Sequence, residues 1–164
     1  MKHTRASVIK RVEDEYRALD KIVKQLTPAD LRRPAMREEA PTRYTAKDVV
    51  AHINAWKWRQ VRVVLKDKSP LRAYEPPQSS NGTSTIRYTN VGIYRRSHGT
   101  PASTIVAEHR AAHRAMLKAL RAAPADYFAT KRSERWPFDA VGHVEEHTRK
   151  HLEPLAAARE RAAR

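Results

Sequence analysis

The chain has 164 residues, enough for one domain with or without a short tail. Its 40% apolar and 31% charged content supports a core and argues against wholesale disorder. Lys and Arg total 33 against 18 Asp and Glu, a formal charge of +15, and there are 0 cysteines, which excludes a disulfide framework, a thiolate metal site and a cysteine nucleophile.

In chain order, the first helical stripe is Val8, Val12, Tyr16, Leu19, Val23 and Leu26, with Thr4 or Ser7 as its cap and Thr27-Pro28 as its stop. Pro28 to Leu31 can add one extra turn. Thr45 with Asp48 three residues later resembles a capping box. It opens a second stripe of Val49, Ile53, Trp56 and Val63 or Val64, with His52 on or beside it. From about Pro70 to Ser103 the pattern is irregular, broken by Pro76-Pro77 and Ser79-Ser80-Asn81-Gly82, with a short helix expected at 87–95. A third helix is expected from 101–103, with Ile105, His109, Ala112, Met116 and Leu120 as its stripe. A fourth is expected from Trp136-Pro137, with Val141, Val144, His147, His151 and Leu155 inward and Pro154 kinking or ending it. The reading is all-α: a four-helix bundle with a long connection between helices two and three. The bundle is expected over 1–155 and a basic helical tail over 156–164.

No apolar run approaches the roughly 20 residues that span a bilayer. Met1 to Arg5 leads into an amphipathic stretch rather than a signal segment, so a soluble, cytoplasmic protein with no membrane partner is expected. Basic residues on helix two (Lys57, Arg59, Arg62, Lys66, Lys68) and helix three (Arg110, Arg114, Lys118, Arg121) read as outward faces. They predict a non-specific, salt-sensitive attraction to nucleic acid, but no recognised nucleic-acid-binding motif accompanies them.

Histidines carry the chemistry. His147 and His151 are four apart and share a helix face, His143 lies four residues earlier, and His52 stands on helix two. Imidazole nitrogen suits divalent transition metals, and an i, i+4 pair with one ligand from a facing helix leaves positions open for water or substrate. His109 and His113 repeat the same spacing, so spacing alone does not identify a site.

Three segments resemble a known family. Tyr44-Thr45-Ala46-Lys47-Asp48-Val49-Val50-Ala51-His52-Ile53-Asn54-Ala55-Trp56 is similar to an aromatic-x-x-K-D-x-x-x-H-x-x-x-W opening of helix two. Asn90-Val91-Gly92-Ile93-Tyr94 is similar to an N-x-x-I/V-Y/F element, and His147 to His151 to an H-x-x-x-H end of helix four. Together they resemble the DinB-like superfamily and, within it, the ClbS/DfsB family. The resemblance implies a four-helix bundle, often dimeric, so a homodimer is one expectation. It also implies a divalent metal (Zn, Ni or Fe) on His52, His147 and His151, although the ClbS-like branch need not use one. Known members include transferases and isomerases that use low-molecular-weight thiols, and a self-resistance hydrolase that opens a strained ring. Thr148 and Lys150 depart from the pattern, which often has tyrosine and an acidic residue there.

The expectation is an enzyme adding water or a thiol to an electrophilic small molecule, as in detoxification or self-resistance. His52, His147, His151 and Tyr94 are the candidate catalytic residues, and Trp56, Asn90 and Tyr88 the candidate substrate contacts. The alternatives are a sequestering protein of the same fold and a basic nucleic-acid-associated protein. Glu145 and Glu146 are expected to be solvated.

Overall fold

The computed structural model describes residues 4–36, 43–66, 82–129 and 142–162. Helix α1, Arg5–Gln25, starts with a reciprocal box in which Thr4 accepts from the Ser7 N–H and Ser7 accepts from Thr4. Both residues named as alternative caps thus serve the same one. The extra turn forms as α2, Pro28–Leu31, under a second box made by Thr27 and Asp30. A short antiparallel pair, β1 (Pro34–Met36) and β2 (Tyr44–Thr45), then closes against the start of α3, Ala46–Leu65. The Thr45–Asp48 box is present as expected. Lys66, in the left-handed conformation, ends the helix by donating to the Arg62 and Val63 carbonyls.

The connection after α3 is more helical than its sequence suggests. Helix α4 runs over Gly82–Ser97, longer than the expected 87–95. Its breakers, Pro76-Pro77 and Ser79 to Asn81, lie outside the described residues, as do Tyr88's side chain, Trp136, Pro137 and Val141. Helix α5, Ala102–Ala122, follows Pro101, and α6 is Ala125–Ala129. The last helical run, α7, spans 142–162 and contains a π turn at Thr148–Leu152. Pro154 neither ends nor breaks it. The π turn immediately ahead widens the helix where the proline ring would otherwise meet a carbonyl of the preceding turn.

Helices α1, α3, α5 and α7 make an all-α bundle with α3 at its centre. Leu19, Val49, Ile53, Ile105 and Leu152 form one part of the core, and Val8, Val12, Trp58, Met116 and Leu120 another. The expected stripe of α5 is buried throughout. Within the described part of 156–164, Ala156 is buried, Arg159 meets Asp30 at 2.9 Å, and 159–162 are exposed.

One expectation fails on α3. Lys57 and Arg62 are buried, at 6% and 4% exposure, because α3 is covered on nearly every side and has no solvated face along its middle. Arg110, Arg114, Lys118 and Arg121 on α5 are exposed as expected. No described helix is long and apolar enough to cross a membrane.

Candidate metal centre

The Lys47-Asp48…His52…Trp56 spacing on α3 is a set of structural ties around one histidine. Lys47 Nζ donates to the Ser97 carbonyl at 3.3 Å, to that of Thr100 at 3.1 Å, and to that of His98, closing the end of α4. Fully buried Asp48 accepts from the Thr45 amide at 2.9 Å and hydroxyl at 2.7 Å, and His98 Nδ1 lies 3.1 Å from it. One turn on, His52 is 2% exposed. A further turn on, the Trp56 indole donates to the Asn90 amide oxygen at 3.2 Å. Tyr44 donates to the Asn90 carbonyl at 3.1 Å, so α4 is pinned against α3 beside His52.

Three imidazoles converge here. His52 Nε2 is 2.9 Å from His143 Nε2, and His147 Nε2 is 3.0 Å from the same atom. Among the described residues, His52, His143 and His147 are the group placed to hold one cation. Nitrogens this close fit neighbouring ligands of one ion, since bonds of about 2.1 Å at right angles separate two nitrogens by roughly 3 Å.

Burial drives the electrostatics. It pushes His52 far below the usual imidazole value, helped by His143, His147 and His151. It lowers His143 to about 4, and it lowers His147, with help from His143 and His151, to about 3. At neutral pH all three are uncharged and carry a lone pair, the form that binds metals. The Nδ1 atoms of His52 and His147 have no hydrogen-bond partner among the described residues.

This trio differs from the expected one. His143 takes the place given to His151, although both are four residues from His147. The difference is axial register: His52 meets α7 level with His143 and His147, and His151 stands one turn further along. His151 is buried, with its ring 5.3 Å from that of His147. The π turn offsets part of the angular drift that would carry it off this flank.

The other candidates surround the trio unevenly. The Trp56 ring lies 6.3 Å from His52 and 6.1 Å from His143, forming a wall. The Asn90 amide oxygen is occupied by that indole, which makes Asn90 a positioning residue for Trp56. Tyr94 packs against Tyr44 at 5.0 Å and His98 at 4.6 Å. Burial, with the Asp48 charge, pushes its phenol up, so it stays protonated at neutral pH. Glu145 and Glu146 are exposed as expected, and Glu146 pairs with Lys150, which holds that lysine outward. Arg59, expected on an outward face, is instead a half-buried charge stacked over Trp56 at 4.9 Å near this wall.

A family model for the DinB superfamily matches residues 6–155. A crystal structure of an uncharacterised protein from Escherichia coli UTI89 is similar in fold, with a TM-score of 0.65 and 14% identity. The match covers 96% of this chain and 90% of that one. No curated protein matches the chain.

Proposed function

The chain belongs to the DinB superfamily, and from that premise we propose that it is a metal-assisted enzyme that adds water or a thiol to an electrophilic small molecule. The observation that carries the proposal is the convergence of three neutral Nε2 atoms from His52, His143 and His147. These residues would hold a divalent cation (Zn, Ni or Fe), which supplies Lewis acidity and lowers the pKa of a bound water or thiol. The chain's own residues do the rest. Trp56 and the fully buried Tyr44 exclude water from one flank of the trio, and the partly exposed Trp56 ring offers aromatic surface to an apolar substrate. Asn90 fixes the Trp56 indole. Tyr94, kept protonated, donates a proton to the departing group, and His151 tunes the trio from the next turn.

The finer assignment, to the ClbS/DfsB branch, rests on the three sequence segments. It makes a strained, electrophilic ring the preferred substrate class and detoxification or self-resistance the role. The test is turnover of small epoxides and activated cyclopropanes, with and without a low-molecular-weight thiol, by metal-loaded protein. Multiple turnovers that disappear in His52→Ala and His143→Ala support the proposal. The absence of turnover at any ring or thiol would end it.

One observation favours sequestration without turnover. No carboxylate stands within the histidine cluster among the described residues, since Glu146 is exposed and held by Lys150. Protection that stops at one ligand per chain would mark that function.

A further inference from the structure

One charged surface has no part in the histidine site. Helix α5 turns Ile105, His109, Ala112, Met116 and Leu120 inward, and Arg110, Arg114, Lys118 and Arg121 stand exposed on its other side. At about 100° per residue these four fall within a sector of roughly 80°, so they form one stripe about 16 Å long. The stripe is uniform in sign. The only acid in α5, Glu108, lies off it and accepts from the Trp58 indole. Arg121 meets Glu13 of α1 at 3.3 Å, whereas Arg110, Arg114 and Lys118 make no ion pair among the described residues. The cations beside them on α1 are already engaged: Arg17 pairs with Asp14, and Lys24 with Asp20. Like charges three and four residues apart on a helix repel, and a bound polyanion relieves that repulsion.

The composition of the face narrows the polyanion. A membrane surface is held by basic residues together with large apolar ones that enter the lipid. The exposed large apolar residues, Val63 and Leu65, are on α3 and not on α5. A single nucleic-acid strand is held by stacking its bases on aromatic rings, and α5 contains no Phe, Tyr or Trp. A duplex keeps its bases inside and offers phosphates, one for about every 1.7 Å of its axis, so a 16 Å stripe faces several of them. Three of the four cations are arginines, whose planar fork matches phosphate oxygens. Ser103 and the exposed Ala107 continue the stripe towards the start of α5, so no bulky side chain keeps a backbone at a distance.

We propose that the outer face of α5 is a docking surface for double-helical nucleic acid. Arg110, Arg114, Lys118 and Arg121 hold the phosphates, and nothing on the face reads base sequence. This is narrower than an attraction due to the net charge of +15, because it assigns the contact to one helix.

The test is a salt titration of binding to a fluorescein-labelled DNA duplex of about 20 base pairs, read by fluorescence anisotropy. The triple variant Arg110→Gln, Arg114→Gln, Lys118→Gln is expected to lose at least about tenfold in affinity at about 50 mM salt. Its slope of log K on log salt should flatten by about 2.7, three phosphate contacts at about 0.9 each. A second triple variant, Arg95→Gln, Arg149→Gln, Arg161→Gln, removes the same charge from exposed positions on α4 and α7. It is expected to bind within about threefold of wild type with a slope changed by less than about 1. All six positions are exposed, so both variants should melt near wild type. Equal losses in the two variants would overturn the proposal and leave only the net charge. So would a wild-type chain that binds vesicles of anionic phospholipid and not the duplex. Duplex binding does not involve the histidine trio, so its outcome is independent of the enzymatic reading.

Discussion

His143 Nε2 lies 2.9 Å from His52 Nε2, two imidazoles from helices α3 and α7 aimed at one point. Removing either leaves the remaining pair unable to close a three-nitrogen site. His52→Ala and His143→Ala are each expected to lower bound metal in untagged, reconstituted protein from near one equivalent to near none. His151→Ala, which removes a neighbour and not a member of the trio, should keep the stoichiometry and weaken affinity by about tenfold. Elemental analysis with competitive chelator titration checks both. A wild-type chain that stays metal-free after reconstitution would remove the metal from the mechanism.

Acid should destabilise the fold from the inside. His109 and His113 are held neutral by burial, at about 3 and about 4. In the unfolded chain each takes up a proton near pH 6.5. Stability is therefore full above that value and falls as the pH drops towards 4, by about 1.4 kcal/mol per pH unit for each residue. Urea midpoints at neutral and at mildly acidic pH measure the loss. His109→Leu, which swaps a buried imidazole with no hydrogen-bond partner among the described residues for an apolar side chain, should flatten part of it.

Glu15 works in the opposite direction. Burial raises its carboxyl to about 8, so the folded chain holds a proton that the unfolded chain gives up near pH 4.5. Its contribution is full below 4.5 and is lost as the pH rises towards 8. Glu15→Gln, which never ionises, should melt higher than wild type at pH values above about 8, with the gap closing by about pH 5. Equal melting temperatures at alkaline pH would show that Glu15 is not held protonated.

Asp48 combines a helix cap with buried charge contacts. Thr45→Ala removes one side-chain acceptor and is expected to cost about 1 kcal/mol. Asp48→Ala also removes the partner of His98 and the carboxylate 3.6 Å from Lys47, so a loss of about 3 kcal/mol is expected. Because Lys47 ties down the end of α4, amide exchange in 94–100 should rise in Asp48→Ala and stay near wild type in Thr45→Ala.

What could be read directly from the chain is what neighbouring residues decide. The Thr45–Asp48 cap, the buried stripe of α5 and the extra turn at Pro28 follow from contacts three and four residues apart, which any helix enforces. The family resemblance lies in the same local spacing. Tertiary structure decided what those rules leave open. His143 and His151 are equivalent by spacing around His147, and only the axial register of α3 against α7 brings one of them to His52. Lys57 belongs to a basic series that reads as a solvated face, yet α3 is enclosed on nearly every side, and enclosure depends on how many helices pack around it. Pro154 should kink or end a helix by local sterics; the helix continues, and the irregularity takes the form of a π turn immediately ahead that relieves the clash. In each case the deciding contact joins residues distant in sequence or depends on a distortion of the regular helix, and neither is encoded in a three-to-four-residue period.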